Sequence, residues 1–79
     1  MWWFVKKTVD NTDKVIYSYG FETKEQSGIV EFDKKAEQFS LAKLAIGDNE
    51  KLVSRFLFRQ LYRIITEENC PNERQIAIG

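Results

Sequence analysis

The chain contains no histidine and a single cysteine, and its twelve lysines and arginines are balanced by twelve aspartates and glutamates. Each shortage excludes something. Without histidine the chain lacks the commonest general base and the commonest metal ligand. Cys70 alone can neither close an internal disulfide nor build a zinc site. Zero net charge argues against an ordinary nucleic-acid binder, whose affinity comes from an excess of basic side chains facing phosphates. No apolar run approaches the ~20 residues of a membrane span. Residues Met1 to Lys7 place apolar side chains before the lysines, the reverse of a secretory signal. Trp2, Trp3 and Phe4 beside Lys6 and Lys7 would suit a bilayer surface, but the strand pattern described below accounts for them better. A lone thiol and no export signal give a cytoplasmic expectation, with no membrane partner.

Catalytic signatures are equally scarce. No glycine-rich phosphate loop, metal-ligand spacing or nucleophile elbow occurs. Three carboxylate pairs exist: Glu31 with Asp33, Asp48 with Glu50, and Glu67 with Glu68. The first reads as the solvent face of a strand and the others as helix ends. Cys70 has no histidine to activate it. The expectation is a protein that is not an enzyme, with no catalytic residue, no cofactor and no metal.

What is present is a globular composition of 79 residues, 43% of them hydrophobic, enough for one domain and one core. Residues Trp2 to Val9 alternate, with Trp2, Phe4 and Lys6 on one face and Trp3, Val5 and Lys7 on the other. Asp10-Asn11-Thr12-Asp13 is a turn cluster whose side chains bond their own backbone. Lys14 to Phe21 continues the pattern, with Val15, Tyr17, Tyr19 and Phe21 on one side, so the two runs predict a hairpin. Gly28 to Asp33 predicts a third strand, with Val30 and Phe32 opposite Ile29 and Glu31. Asp33-Lys34-Lys35-Ala36 reads as another turn. Residues 37–45 fit both a strand (Phe39, Leu41) and a helical stripe (Leu41, Leu44, Ala45), and the tight turn before them favours a strand.

Gly47-Asp48 signals a helix start, with Asp48 as the capping acceptor and Glu50 complementing the dipole. The helix is expected over residues 49–68. Asn69 suits a left-handed end, and Cys70-Pro71 forbids continuation. Arg74 to Ile78 reads as a last short strand. The fold class that follows is α+β, ordered β-β-β-β-α-β. It has one antiparallel-dominated sheet of four to five strands and one long amphipathic helix on one face.

One helix covers only one face of such a sheet, yet both faces carry apolar residues. On the helix itself, apolar positions from Leu52 to Ile65 sweep far more than the ~100° stripe of an ordinary surface helix. Phe56 and Phe58 point in nearly opposite directions. A surplus of this kind marks a protein contact, and a symmetric homodimer hides it most simply. Trp2, Trp3, Phe58 and Tyr62 are the residues expected at that dimer or partner surface, with another protein as a further partner.

Lys51, Arg55, Arg59 and Arg63 recur every four residues and form one basic ridge. A solvated face, with Glu67 pairing to Arg63, is the plainer reading. The alternative is a weak nucleic-acid or anion-binding module using arginine forks. Strand aromatics could stack on single-stranded nucleic acid, but no ribonucleoprotein signature accompanies them. The function expected is therefore a homo-oligomeric protein-interaction or structural module.

Overall fold

The computed structural model of the chain describes residues 1–78. Five strands, β1 (Trp2–Asp10), β2 (Lys14–Phe21), β3 (Gly28–Asp33), β4 (Gln38–Lys43) and β5 (Glu73–Ala77), form one antiparallel sheet in the order β4-β3-β2-β1-β5. A single helix of 18 residues, α1, joins β4 to β5 and carries the chain from one edge of the sheet to the other. This is the α+β architecture and the β-β-β-β-α-β order that the periodicity predicts.

The turns form where short polar side chains supply local bonds. Asn11 Oδ1 accepts from the backbone N–H of Asp13 and Lys14, at 2.9 and 3.0 Å. Asp33 Oδ1 does the same for Lys35 and Ala36, at 2.9 and 3.0 Å. These Asx bonds close both hairpins and so fix the strand registers.

Alternation then decides what is buried. Trp3, Val5, Val15, Tyr17, Tyr19, Val30, Phe32 and Ile76 lie on the helix side and are buried. Val53, Leu57, Leu61 and Ile64 of α1 close the core from above. The two core tyrosines also fix the ends of the helical connection. Ala45 N donates to the Tyr19 hydroxyl at 3.0 Å, before α1, and the Tyr17 hydroxyl donates to Pro71 O at 2.7 Å, after it. Each phenol thereby satisfies a polar group that would otherwise be costly to bury.

The helix consists of Glu50–Leu52, a π-helical turn at Val53–Leu57, and Phe58–Glu67. Its capping residue is Asn49, whose Oδ1 accepts from Leu52 N at 3.0 Å, not Asp48 as the sequence suggests. Asp48 is diverted because Trp3 Nε1 takes its Oδ2. The π turn has a geometric role. Four residues of α-helix overshoot a full turn by ~40°, so core positions spaced by four drift around the axis. A π turn needs more than four residues and reverses that drift. Val53, Leu57 and Leu61 therefore stay in line over the sheet, all fully buried. At the far end, Asn69 and Cys70 both take left-handed backbone conformations, at φ 61° and 52°, and turn the chain into β5.

The second sheet face is not left bare. The segment between β2 and β3, residues 22–27, folds over it, with the carbonyls of Thr23 and Glu25 lying where a side chain at Gly20 would go. The Ser18 hydroxyl donates to Gln26 Oε1 on this face, and Lys24 Nζ sits 5.8 Å from the centre of the Phe4 ring. No helix among the described residues is long and apolar enough to cross a membrane.

Candidate interaction surface

The basic ridge occupies the crest of α1. Val53, Leu57, Leu61 and Ile64 face the sheet, so Lys51, Arg55, Arg59 and Arg63 fall on the opposite side, all exposed. The π turn keeps these four in line for the reason that it aligns the core positions. Arg63 Nε lies 3.8 Å from Glu67 Oε2, one helical turn on. Among the described residues no carboxylate forms a salt bridge with Lys51, Arg55 or Arg59.

The four residues expected at a dimer surface do not come together. Trp3 is fully buried in the chain's own core, because β1 turns its odd-numbered residues toward α1, so it contributes nothing to an outer surface. Trp2 is half-buried on the opposite sheet face. Phe58 is half-buried too, stacked on Phe39 with ring centres 5.0 Å apart and planes 12° from parallel. Only Tyr62 is largely exposed. The surplus of apolar residues around α1 is mostly absorbed by its flanks, since Phe56, Phe58 and Ile65 pack against the core from the sides.

The exposed apolar surface lies elsewhere. Ile46 is 82% exposed, Tyr62 43%, Ile29 38% and Leu44 37%, with Met1, beside β5, also at 37%. Ile29, Leu44 and Ile46 lie at the Lys43 end of β4, with Ile29 on the outer sheet face, whereas Tyr62 lies at its Glu37 end on the helix side. Ile29 pairs with Lys43 at the end of that strand, and Leu44 and Ile46 follow it directly. The Tyr62 hydroxyl donates to Glu37 Oε1 at 3.1 Å, just before the strand begins. This bond with a carboxylate pushes the Tyr62 phenol above its ordinary pKa. The exposure of Ile46 is not that of a frayed segment. Its backbone N–H donates to Ser27 Oγ at 2.9 Å, beside the Ala45 bond to Tyr19.

Strand β4 is itself an unpaired edge. Its residues Gln38, Phe39, Ser40, Leu41 and Ala42 carry no charge, and Lys43 is its last residue. The other edge, β5, carries its two charges, Glu73 and Arg74, at its start, followed by Gln75, Ile76 and Ala77. Charged side chains are the usual guard of an edge strand against pairing with another chain. In β4 the guards are Lys43 at its end and a bulge at Ala42, between the Leu41–Val30 and Lys43–Ile29 pairs. Two open grooves follow the same side of the helix. One, of about 500 Å³, is lined by Leu44, Asn49, Glu50 and Lys51. The other, of about 370 Å³, is lined by Leu41, Glu50, Ser54 and Phe58. Nothing in the sequence patterning singled out this surface, although Leu44-Ala45-Ile46, an apolar run inside a connection, was the available signal.

At the opposite end of α1 a polar cluster fastens the turn into β5. Lys7 Nζ lies 3.1 Å from Asp10 Oδ2 and donates to Cys70 O at 2.9 Å. Lys34 Nζ reaches Asp10 Oδ1 at 2.9 Å. The hydrogen bonds from Lys34 and then Lys7 hold the Asp10 carboxyl below its ordinary range. Burial, then the Cys70 thiol 3.5 Å away, pushes the Tyr17 phenol far above its ordinary pKa. The charged groups of this cluster satisfy one another. Among the described residues, no group of three or more metal-ligating side chains comes together.

The fold defines a small α+β domain whose two sheet edges are β5, charged at its start, and β4, with five uncharged residues before Lys43. Compared with known proteins, the chain matches no family model, no curated protein and no solved structure.

Proposed function

We propose that this chain is a non-enzymatic interaction module that associates with copies of itself through the β4 edge and the apolar residues around it. One observation carries the reading: Leu44 and Ile46 are exposed directly beyond the β4 edge strand, whose residues Gln38 to Ala42 carry no charge. An edge strand offers a row of unpaired backbone groups, and an apolar surround adds the burial that makes pairing stable. The free thiol of Cys70 supports a reducing, cytoplasmic setting for such a module.

Size-exclusion chromatography with light scattering at micromolar concentration tests it. The expected mass is twice the 9.3 kDa of the chain. Ile46→Asp or Leu44→Asp should return the mass to that of one chain with unchanged circular dichroism. A wild-type protein that stays monomeric overturns the proposal.

The ridge favours a second reading, an anion-binding surface, because Lys51, Arg55 and Arg59 are exposed along one line and form no salt bridge among the described residues. Salt decides between them. Binding of single-stranded nucleic acid that is absent at low salt, or that survives Arg55→Gln with Arg59→Gln, overturns this second reading.

A further inference from the structure

We infer that the ridge binds a single strand of nucleic acid, with Lys51, Arg55, Arg59 and Arg63 on successive phosphates of its backbone and a base stacked on Tyr62. The inference rests on the reading of the ridge as an anion-binding surface and names its ligand.

Charge is placed for a polyanion. From Lys51 to Arg63 the chain has four cations and no carboxylate. The other eight basic residues face twelve acidic ones, so outside the ridge the molecule is net acidic and presents its crest to an anion. Three of the four cations are arginines, whose forks each grip two phosphate oxygens. The exposed residues over this stretch are the four cations, Ser54 and Tyr62, with no aliphatic side chain among them. The centre of a protein–protein contact is instead depleted of charge and built on apolar burial. The crest therefore suits a phosphate backbone better than an acidic protein.

Shape selects a single strand. At ~1.5 Å per residue, residues 51–63 span roughly 15–18 Å, with one cation every ~5–6 Å. The π turn at Val53–Leu57 keeps that row straight. A duplex winds its phosphates about an axis, so a straight row touches one strand only briefly before it curves away. Nor can α1 enter a duplex groove, because Phe56 and Phe58 sink its flanks against the core. A flexible strand can follow the whole row. Beside the row, Tyr62 is 43% exposed and neighbours Arg59 across one helical turn. Its ring is held in place, 6.1 Å from that of Phe32 at 72°. Its hydroxyl bonds Glu37, which puts that carboxylate at the end of the phenol farthest from the helix backbone. A fixed, exposed ring beside a line of cations is how single strands are held without regard to sequence.

Fluorescence anisotropy of a labelled oligothymidylate across a series of salt concentrations tests the assignment. The logarithm of affinity should fall against the logarithm of salt with a slope near −3, about −0.7 for each phosphate neutralised. Arg55→Gln and Arg59→Gln should each make the slope shallower by ~0.7. Tyr62→Leu should weaken binding roughly five- to tenfold at unchanged slope, and Tyr62→Phe should bind like wild type. Glu67→Gln releases Arg63 from its neighbour and should tighten binding roughly two- to threefold, whereas Glu25→Gln, on the loop over the other sheet face, should not. All five positions are exposed, so the fold tolerates these changes. Equal affinity for a thymidylate–adenylate duplex, a slope shallower than about −1, or a Tyr62→Leu variant that binds like wild type overturns the single strand and leaves an anion-binding ridge standing. Tighter binding to phosphatidylserine vesicles or to polyglutamate does the same. No binding at low salt, or binding indifferent to both arginine variants, overturns the ridge itself.

Discussion

Trp3 Nε1 donates a hydrogen bond to Asp48 Oδ2 at 2.7 Å, tying the first strand to the turn that launches the helix 45 residues later. The other carboxylate oxygen accepts from Asn49 N at 2.8 Å and so places Asn49 to cap α1. One contact thus joins β1 packing to helix initiation. Trp3→Phe keeps an aromatic ring in the core but removes the donor, and should destabilise the fold by ~1–3 kcal/mol in urea titration. Asp48→Ala should act in the same direction. Because they share one bond, the two together should fall short of the sum of the single effects by ~0.5–2 kcal/mol. Strict additivity would show the bond to be without energetic weight.

The inward and outward sides of the helix should respond differently to truncation. Leu57 is fully buried, and Leu57→Ala should lower stability by ~2–5 kcal/mol through lost burial and an unfilled cavity. Arg59 stands exposed on the crest, and Arg59→Gln should change stability by no more than ~0.5 kcal/mol. Chemical denaturation of both variants checks the orientation of α1. A larger effect at Arg59 than at Leu57 would contradict it.

Alkaline stability should fall through the tyrosines. Burial raises the pKa of both Tyr17 and Tyr19 above the ordinary value of 10.0. A folded-state pKa above the unfolded one means that the neutral phenols stabilise the fold fully below pH ~10. That stabilisation is lost as pH rises above it, since the unfolded chain ionises first. Near-ultraviolet phenolate absorbance followed alongside circular dichroism should show Tyr62 ionising before unfolding. Tyr17 and Tyr19 should ionise together with it. Loss of all three phenol protons with the fold intact would contradict the burial.

Acid acts through Asp10. Its depressed pKa means that its contacts with Lys34 and Lys7 stabilise the fold above the ordinary carboxylate range, and that this is lost as pH falls through the depressed value. Both ion pairs are partly solvated, so Asp10→Asn should remove only roughly 0.5–1 kcal/mol at neutral pH. The difference from wild type should shrink toward zero in strong acid. Stability curves at several pH values measure it, and a gap that widens on acidification would contradict the assignment.

Local chemistry made most of this fold legible from residues alone. Turns closed by Asn11 and Asp33, strands alternating from Trp2 to Phe32, and the left-handed Asn69 each depend on neighbours a few positions away. What escaped depends on distant partners. The cap moved from Asp48 to Asn49 because an indole from β1 claims the aspartate. Both tryptophans were expected at a surface, because alternation separates Trp2 from Trp3 without saying which face α1 will cover. Phe56 and Phe58 were read as a surplus because the core was pictured as a stripe, whereas the helix buries its flanks as well. The apolar surround of β4 was hidden for a similar reason. Leu44 and Ile46 sit in a connection, and only the strand order, which leaves β4 at an edge, shows that they border an unpaired strand.

The pairing of β1 with β5 has a bearing on how the molecule comes into being. Trp2 lies opposite Ala77, and the backbone groups of Met1 and Ile78 bond each other at 2.9 Å. Closing that seam encloses nearly the whole chain, so the entropy of loop closure is paid there in full, and the seam forms late. During synthesis β1 emerges first and its partner last. Through that interval β1 stands as an open edge alongside β4, because the strand that later covers it has yet to be made.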